Sequence, residues 1–192
     1  MTKRVVLPAL MIMVLLGGCG DGQLLERRLE EHRDALADAE LSFTAQVCTG
    51  GSQEVFSCTL DCVSTQEALS VTVSAPELIS GIRATLREGE ATLEYEDVQL
   101  SAGSSSELGE GPLASMPVLT EAMRNGHILR AWKEHDGDSD WIAAEIYVDE
   151  DRQLTIWYRA DSLAPAAALF SREGAEYLRC DITDFTWNEP NG

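Results

Sequence analysis

The sequence predicts an α+β protein built on one antiparallel sheet that curls into an incomplete β-barrel and is covered by two helices. About eleven segments show the two-residue apolar alternation of strands that bury one face. Two other segments show the helical period, and the strands follow one another through short turns, as antiparallel neighbours do. A single sheet of about eleven strands has to curl.

Residues 1–19 have the order of a lipoprotein signal. An apolar run, Val5 to Leu16, follows a short basic start, and Leu16-Gly17-Gly18 stands directly before Cys19. Small residues permit cleavage at this point, and the cysteine thiol then carries a diacylglyceryl group. We therefore expect a signal peptide over 1–18, a lipidated tether over 19–22, and diacylglycerol and palmitate chains that anchor the protein at the extracytoplasmic face of the cell membrane. The alternative is an ordinary cleaved signal with a chance cysteine.

The charge excludes one class of partner. The sequence holds 14 Lys and Arg against 33 Asp and Glu. Removing the two basic residues of the signal leaves 12 against 33, a net charge of −21 on the 174 residues that remain. Such a field repels nucleic acid, so no nucleic-acid role is expected. The length suits one domain, predicted over 23–187, with a tail over 188–192.

The first predicted helix covers Gln23 to Glu40, where one apolar stripe is surrounded by charged residues. We expect it to cover one face of the sheet, although a partner-binding helix is the alternative. A hairpin follows, with alternating apolar residues from Phe43 and from Phe56 onwards. The stripe consists of Leu25, Leu29, Leu36 and Ala39.

The segment Leu69 to Leu100 predicts a curved meander. Pro76 ends its first strand at a corner, Gly89 supports a tight hairpin, and the apolar parity changes after Asp97, which requires a further turn or bulge. A loop rich in glycine and serine is expected over Ala102 to Gly111. The remaining elements are a helix from Pro112 to Asn125-Gly126 and strands His127 to Glu134, Trp141 to Val148, Gln153 to Arg159, Ala166 to Ser171 and Glu176 to Trp187.

Three segments of the sequence carry a family resemblance. They are the string Ser74-Ala75-Pro76-Glu77-Leu78-Ile79-Ser80-Gly81-Ile82, the later Leu93-Glu94-Tyr95, and the helix start Pro112 to Leu119. Together they resemble a largely uncharacterised group of clostridial-type lipoproteins of low-GC Gram-positive bacteria. Those lipoproteins are similar in fold to the LolA/LolB and LppX/LprG lipoprotein-localisation and lipid-carrier proteins. The resemblance covers roughly Phe43 to Trp187 and implies a LolA-like domain. Its motifs are structural, so it implies a fold more directly than an activity.

The resemblance implies a non-enzymatic module that binds or carries a lipid or lipidated ligand in a hydrophobic cavity. Helix Leu113 to Arg124 and loop Gly103 to Gly111 would form the lid, and each buried CH₂ of an acyl chain would contribute about 0.8 kcal/mol. Small residues such as Ala144 and Ala166 to Ala168 leave room for a chain, but they are equally typical of a filled barrel. The candidate lid and cavity residues are Leu113, Met116, Leu119, Met123, Ile142, Ile146, Leu154 and Ile156.

A second function is implied by a similar germination lipoprotein of spore-forming bacteria. In that case a filled barrel would bind a protein and assist a cell-envelope or spore-germination enzyme. Trp132, Trp157 and Trp187 would anchor the partner if they are exposed, and they would otherwise belong to the core.

The motifs of common enzyme classes are missing from the sequence. It contains no H-E-x-x-H, no G-x-S-x-G, no P-loop and no G-x-G-x-x-G, so we expect no enzyme, no cofactor and no metal site. Asp136-Gly137-Asp138-Ser139-Asp140 does open like a calcium loop. Trp141 then stands at the sixth position instead of glycine, and Tyr147 at the twelfth instead of glutamate, so a polar hairpin turn explains the string better.

Four cysteines remain once Cys19 carries lipid. An even number in an exported protein allows disulfides, with three complete pairings, but buried thiols are an equal alternative. Cys58 and Cys62 cannot bridge each other, since they lie about 13 Å apart along one extended strand. The candidate disulfide residues are Cys48, Cys58, Cys62 and Cys180.

Overall fold

The computed structural model describes residues 20–50, 56–104, 110–137 and 139–188. Eleven antiparallel strands form one sheet that does not close, and two helices accompany it, as the sequence predicts. The helices are α1 (Gly20–Leu36) and α2 (Pro112–Asn125). The strands are β1 (Glu40–Thr49), β2 (Phe56–Ser64), β3 (Ala68–Ala75), β4 (Arg83–Arg87), β5 (Glu90–Tyr95), β6 (Val98–Ser104), β7 (His127–Asp136), β8 (Ser139–Tyr147), β9 (Arg152–Arg159), β10 (Pro165–Arg172) and β11 (Ala175–Asn188).

Two meanders make up the sheet. Strands β1 to β6 pair in sequence order, as do β7 to β11, and the pairing of β1 with β11 joins the two halves. Helix α2 connects the two halves in the chain, between β6 and β7. These two strands are the edges of the sheet, so the described strands leave it open there.

The inner face of the sheet forms the core. In β1, Leu41, Phe43, Ala45 and Val47 are almost completely buried, and the residues between them are more exposed. The same alternation continues in β2, β3 and β9, because successive side chains of a strand point to opposite faces. Helix α2 packs against β1, β2 and β3, and α1 packs against β7 and α2.

The local turns follow the sequence prediction closely. A short 3₁₀ helix, Glu77–Ile79, makes the corner after Pro76. The parity change after Asp97 is a turn between β5 and β6, in which Glu96 has a positive φ of 53°. Neither α1 nor α2, the two α-helices of the described residues, combines the length and the hydropathy that a membrane-spanning helix needs.

Three predicted boundaries were wrong. The first helix begins at Gly20, inside the predicted tether over 19–22, and not at Gln23. The first helix ends at Leu36, not at Glu40, because Glu40 already pairs with Asn188 of β11 at the start of β1. The predicted loop over 102–111 begins too early, since β6 continues to Ser104 through its pairing with β5. Residues 105–109 of that loop lie outside the described part of the chain.

Candidate functional site

The structure places all eight predicted lid and cavity residues in or against one hydrophobic cluster, formed by α2 and the inner face of the sheet. Leu113 is partly buried, and each of the other seven is no more than 2% exposed. Four of the eight come from α2 and four from β8 and β9, where Ile146 stands opposite Leu154. They belong to one hydrophobic cluster. The described interior is therefore packed by side chains, with α2 over β1, β2 and β3 and α1 over β7.

Small inner residues allow a helix to approach the sheet at one end of this cluster. Ala131, Ala144 and Ala168 are all buried on the inner face. Helix α1 lies directly over β7, since a Cβ placed on Gly22 would stand 3.6 Å from the carbonyl oxygen of Ala131. At Ala131, the approach of α1 accounts for the small side chain.

Arg124 fixes the C-terminal end of α2. Its Nη1 donates to the carbonyl oxygen of Ala37 (2.9 Å), and its Nη2 donates to those of Ala39 (2.7 Å) and Ser64 (3.0 Å) and to Ser64 Oγ (3.2 Å). The side chain is only 7% exposed, and its Nε has no hydrogen-bond partner. Burial lowers the pKa of the Arg124 guanidinium, which Glu121 and Asp38 partly oppose. One charged side chain thus joins the helix to the ends of β1 and β2.

Further polar contacts hold both ends of α2. Arg33 of α1 donates from Nη1 to the carbonyl oxygen of Gly126 at 2.7 Å. Gly126 leaves no room for a side chain, since a Cβ there would lie 2.5 Å from the carbonyl oxygen of Ala122. Just before α2, Glu110 forms an ion pair with Arg172 of β10. The helix is consequently attached by polar contacts at its ends and by apolar contacts along its length.

Two open clefts flank α2. One of about 380 Å³ runs beside the β2–β3 turn and includes Thr120 and Arg124 in its lining. The other, about 450 Å³, is more apolar and runs along Val118, Ala122 and Tyr147. Both are lined by residues other than the eight predicted ones, and sequence reasoning missed Arg124. The sequence did contain a signal for Arg124, because this charged residue directly follows Met123 in a helix with an apolar stripe.

The four candidate disulfide cysteines are free thiols in the structure. Cys58 and Cys180 both stand opposite Val47, on either side of β1, and Cys62 stands opposite Phe43. Cys58 and Cys180 are therefore two inter-strand spacings apart, roughly 10 Å, whereas the Cα atoms of a disulfide lie no more than about 7 Å apart. Cys48 points to the outer face, where its Sγ lies 3.7 Å from Ser57 Oγ.

The tryptophans proposed as partner anchors lie on different sides of the molecule. Trp132 and Trp157 are half-buried on the outer face of the sheet, and both donate to Glu134. Trp187, near the end of β11, packs edge-on against His32 of α1 with ring centroids 6.5 Å apart. Burial lowers the pKa of His32, and Arg28 lowers it further.

The calcium-like string is a hairpin turn in the structure, as the sequence predicts. The calcium-like string forms the β7–β8 hairpin, with Asp136 opposite Ser139, while Asp138 lies outside the described residues. Asp140 contacts His135 Nδ1 at 2.7 Å. The described residues contain no group of three potential metal ligands. The lipidation candidate Cys19 also lies outside the described residues.

Comparison with known proteins supports the fold. No protein-family model matches the chain, and no curated protein matches it either. The chain is similar to the lipoprotein LppX of Mycobacterium tuberculosis (17% identity, 88% of this chain and 96% of that one, TM-score 0.46) and to a LolA superfamily protein of Nitrosomonas europaea (11% identity, 86% and 94%, TM-score 0.42). A conserved protein of Thermus thermophilus superposes with a TM-score of 0.50 over 88% of each chain at 7% identity. At 7% identity, the likeness to the Thermus protein shows a shared overall fold and no more.

Proposed function

We propose that this protein is a membrane-anchored extracytoplasmic lipoprotein, without enzymatic activity, that binds the acyl chain of a lipid or lipidated ligand between α2 and the sheet. The observation that carries the proposal is the arrangement of α2. Its apolar stripe and the inner face of the sheet form one hydrophobic cluster, whereas polar contacts hold only its ends. A helix attached in this way is suited to act as a lid.

Opening the lid exchanges one set of apolar contacts for another. Burial of a side chain such as Met116, Leu119 or Met123 contributes roughly 1.5 to 3 kcal/mol. An acyl segment of about ten CH₂ groups contributes on the order of 8 kcal/mol, which is comparable with three or four such side chains. The two terms nearly balance, so a chain can enter and leave reversibly. The two methionines adapt to either state because their side chains are flexible.

The anchor completes this proposal. Lipidation of Cys19 after removal of residues 1–18 would hold the domain over 23–187 near the membrane surface, where acyl chains are available. The strong negative charge keeps the body of the domain away from anionic headgroups. The tether would therefore keep the protein close to its ligand, and the ligand would enter under the lid. A basic surface that docks on the membrane would not be needed.

One observation favours protein binding as a second function. The inner face continues beyond α2 onto β5 and β6, where Tyr95, Val98 and Leu100 are 43%, 57% and 60% exposed. β6 carries no charged residue and pairs only with β5 among the described strands. An uncharged edge strand with an apolar face is suited to pair with an extended segment of an envelope protein.

Native mass spectrometry tests the carrier function and the place of lipid binding. The full chain is purified in detergent from a host that processes lipoproteins, and the adducts are extracted and identified. We expect a stoichiometric lipid in addition to the anchor, retained in the Leu100→Lys variant because Leu100 lies outside the α2 cluster. A clean mass that stays unchanged after incubation with membrane lipids contradicts the carrier function. Loss of the lipid in Leu100→Lys, but not in the control Leu129→Lys on the opposite edge strand, places binding at β6 instead.

A further inference from the structure

Three tryptophans cluster on the outer face of β7, β8 and β9, on the side of the sheet opposite to α2. Strand register explains the cluster. Ala143 of β8 stands between Trp132 and Trp157, and Ala167 of β10 separates Trp157 from Asp181 of β11. Residues directly opposite one another share a face of the sheet. An alanine beside each large ring leaves a notch, and this outer face therefore contains a cleft.

Glu134 holds two of these rings in place. Its Oε1 accepts the indole Nε1–H of Trp132 at 2.7 Å, and its Oε2 accepts that of Trp157 at 2.8 Å. Hydrogen bonds to a charged acceptor are short and directional. With its indole N–H occupied, Trp157 has its ring face left for further contacts.

The other two rings already bind cations from the protein itself. The guanidinium of Arg130 lies 5.1 Å from the ring centroid of Trp132, and that of Arg159 lies 5.6 Å from that of Trp141. Both distances fall within the range of cation–π interactions. Among the described residues, no lysine or arginine occupies the corresponding position over Trp157.

The cleft beside Trp157 is negatively charged. It measures about 350 Å³ and has Ala166 and Ala167 as a small apolar floor. Glu134, Asp136 and Asp181 line it together with one cation, Arg179, which lies 3.9 Å from Asp181. Three carboxylates against one guanidinium favour a positively charged occupant, and the volume suits a compact one.

We propose that this cleft binds a compact organic cation of the alkylated or quaternary ammonium type. The ring of Trp157 provides the cation–π platform, the methyl groups of the two alanines contact the alkyl groups, and Asp136 and Asp181 supply the counter-charge at the mouth. The site lies on the face opposite to the lid, so it is independent of the acyl-chain function proposed above. Such a cation is found both in small solutes and in lipid headgroups.

Choline and its neutral isostere 3,3-dimethylbutanol test the role of charge. Both are titrated into the full chain in detergent while the indole N–H resonance of Trp157 is followed by NMR. We expect choline to shift this resonance and to bind at least about tenfold more tightly than the alcohol. Equal affinity for the two, or no binding of choline, overturns the proposal. Phosphatidylcholine vesicles serve as a separate probe. If the protein binds both free choline and these vesicles, the site takes a lipid headgroup. If it binds free choline but not the vesicles, the ligand is a soluble cation.

Variants test the assignment of the residues. Trp157→Leu should weaken choline binding about tenfold. Trp187→Leu should leave it unchanged, because Trp187 packs on His32 of α1 and does not line the cleft. Asp181→Asn is the second variant, because an exposed aspartate tolerates this change even if Trp157→Leu fails to fold. We expect it to weaken binding about threefold and to make binding less sensitive to salt. Unchanged affinity in Asp181→Asn and in a folded Trp157→Leu protein refutes the site.

Discussion

Replacing Arg124 with methionine should destabilise the protein through the attachment of α2. The substitution removes four hydrogen bonds, and it leaves the carbonyl oxygens of Ala37, Ala39 and Ser64 without this donor. Methionine keeps most of the side-chain volume, so the change tests the guanidinium and not the packing. The long sequence separation of these contacts, 87 residues to Ala37, means that they stabilise tertiary structure instead of the helix itself.

The magnitude follows from two opposing terms. Hydrogen bonds from a charged donor contribute about 1.5 to 3 kcal/mol each. Their sum is offset by several kcal/mol for keeping a guanidinium out of water, which the methionine variant regains. We expect a net loss of about 2 to 4 kcal/mol in the free energy of unfolding, or a fall in Tm of roughly 5 to 15 °C for a chain of this size.

Urea unfolding and calorimetry of the full chain measure this loss, and hydrogen exchange locates it. Amides of α2 should exchange faster in Arg124→Met, while those of β1 and β11 should remain the slowest to exchange. Arg28→Met is the matched control, because Arg28 is exposed and donates one hydrogen bond, to the carbonyl oxygen of Ala160 at 2.8 Å. If Arg124→Met is as stable as the parent, desolvation cancels the hydrogen bonds and Arg124 does not secure α2.

Two further predictions concern buried titratable groups. Burial lowers the pKa of His32, so below about pH 6.5 the unfolded chain binds a proton that the folded chain does not. The free energy of unfolding should therefore fall as the pH is lowered from 7.5 to 5.5. In urea titrations, His32→Phe should make this pH dependence weaker. An unchanged slope would show that other groups govern it. Burial also raises the pKa of Cys58 to about 11 and that of Cys180 to about 12. At pH 8, iodoacetamide should therefore alkylate the half-buried Cys48 first. After denaturation without a reductant, all four thiols should react. A mass that reveals a disulfide would contradict the free thiols of the structure.

Much of the fold could be predicted from the sequence because its signals are local. The alternation from Phe43 to Val47 reports one buried face, and the corner at Pro76 needs only the missing amide of proline. Pro112 and Asn125-Gly126 delimit α2 correctly, since helix starts and ends depend on neighbouring residues. The first helix was misplaced at its end, where pairing of Glu40 with β11 outweighs helical preference.

The candidate sites depended on contacts that no local pattern contains. The two-residue period shows that Ile146 and Leu154 share a face, but it does not show whether a ligand or a helix fills the space above them. Helix position decided that the interior is packed, and the buried carbonyl oxygens near Ala37 decided the role of Arg124. The pairing of the cysteines also depended on tertiary structure, because strand β1 lies between Cys58 and Cys180.

The sequence alone determined an open antiparallel sheet with two helices and a strongly negative net charge, and its lipoprotein signal remains a prediction. Only the tertiary structure decided that β1 pairs with β11, that α2 is attached by Arg124, and that an alanine beside Trp157 opens a cleft on the outer face. The physical reason is the range of the interactions. Periodicity and turn chemistry act over a few residues, whereas strand pairing, burial of a charge and the shape of a cleft depend on residues brought together from distant parts of the chain.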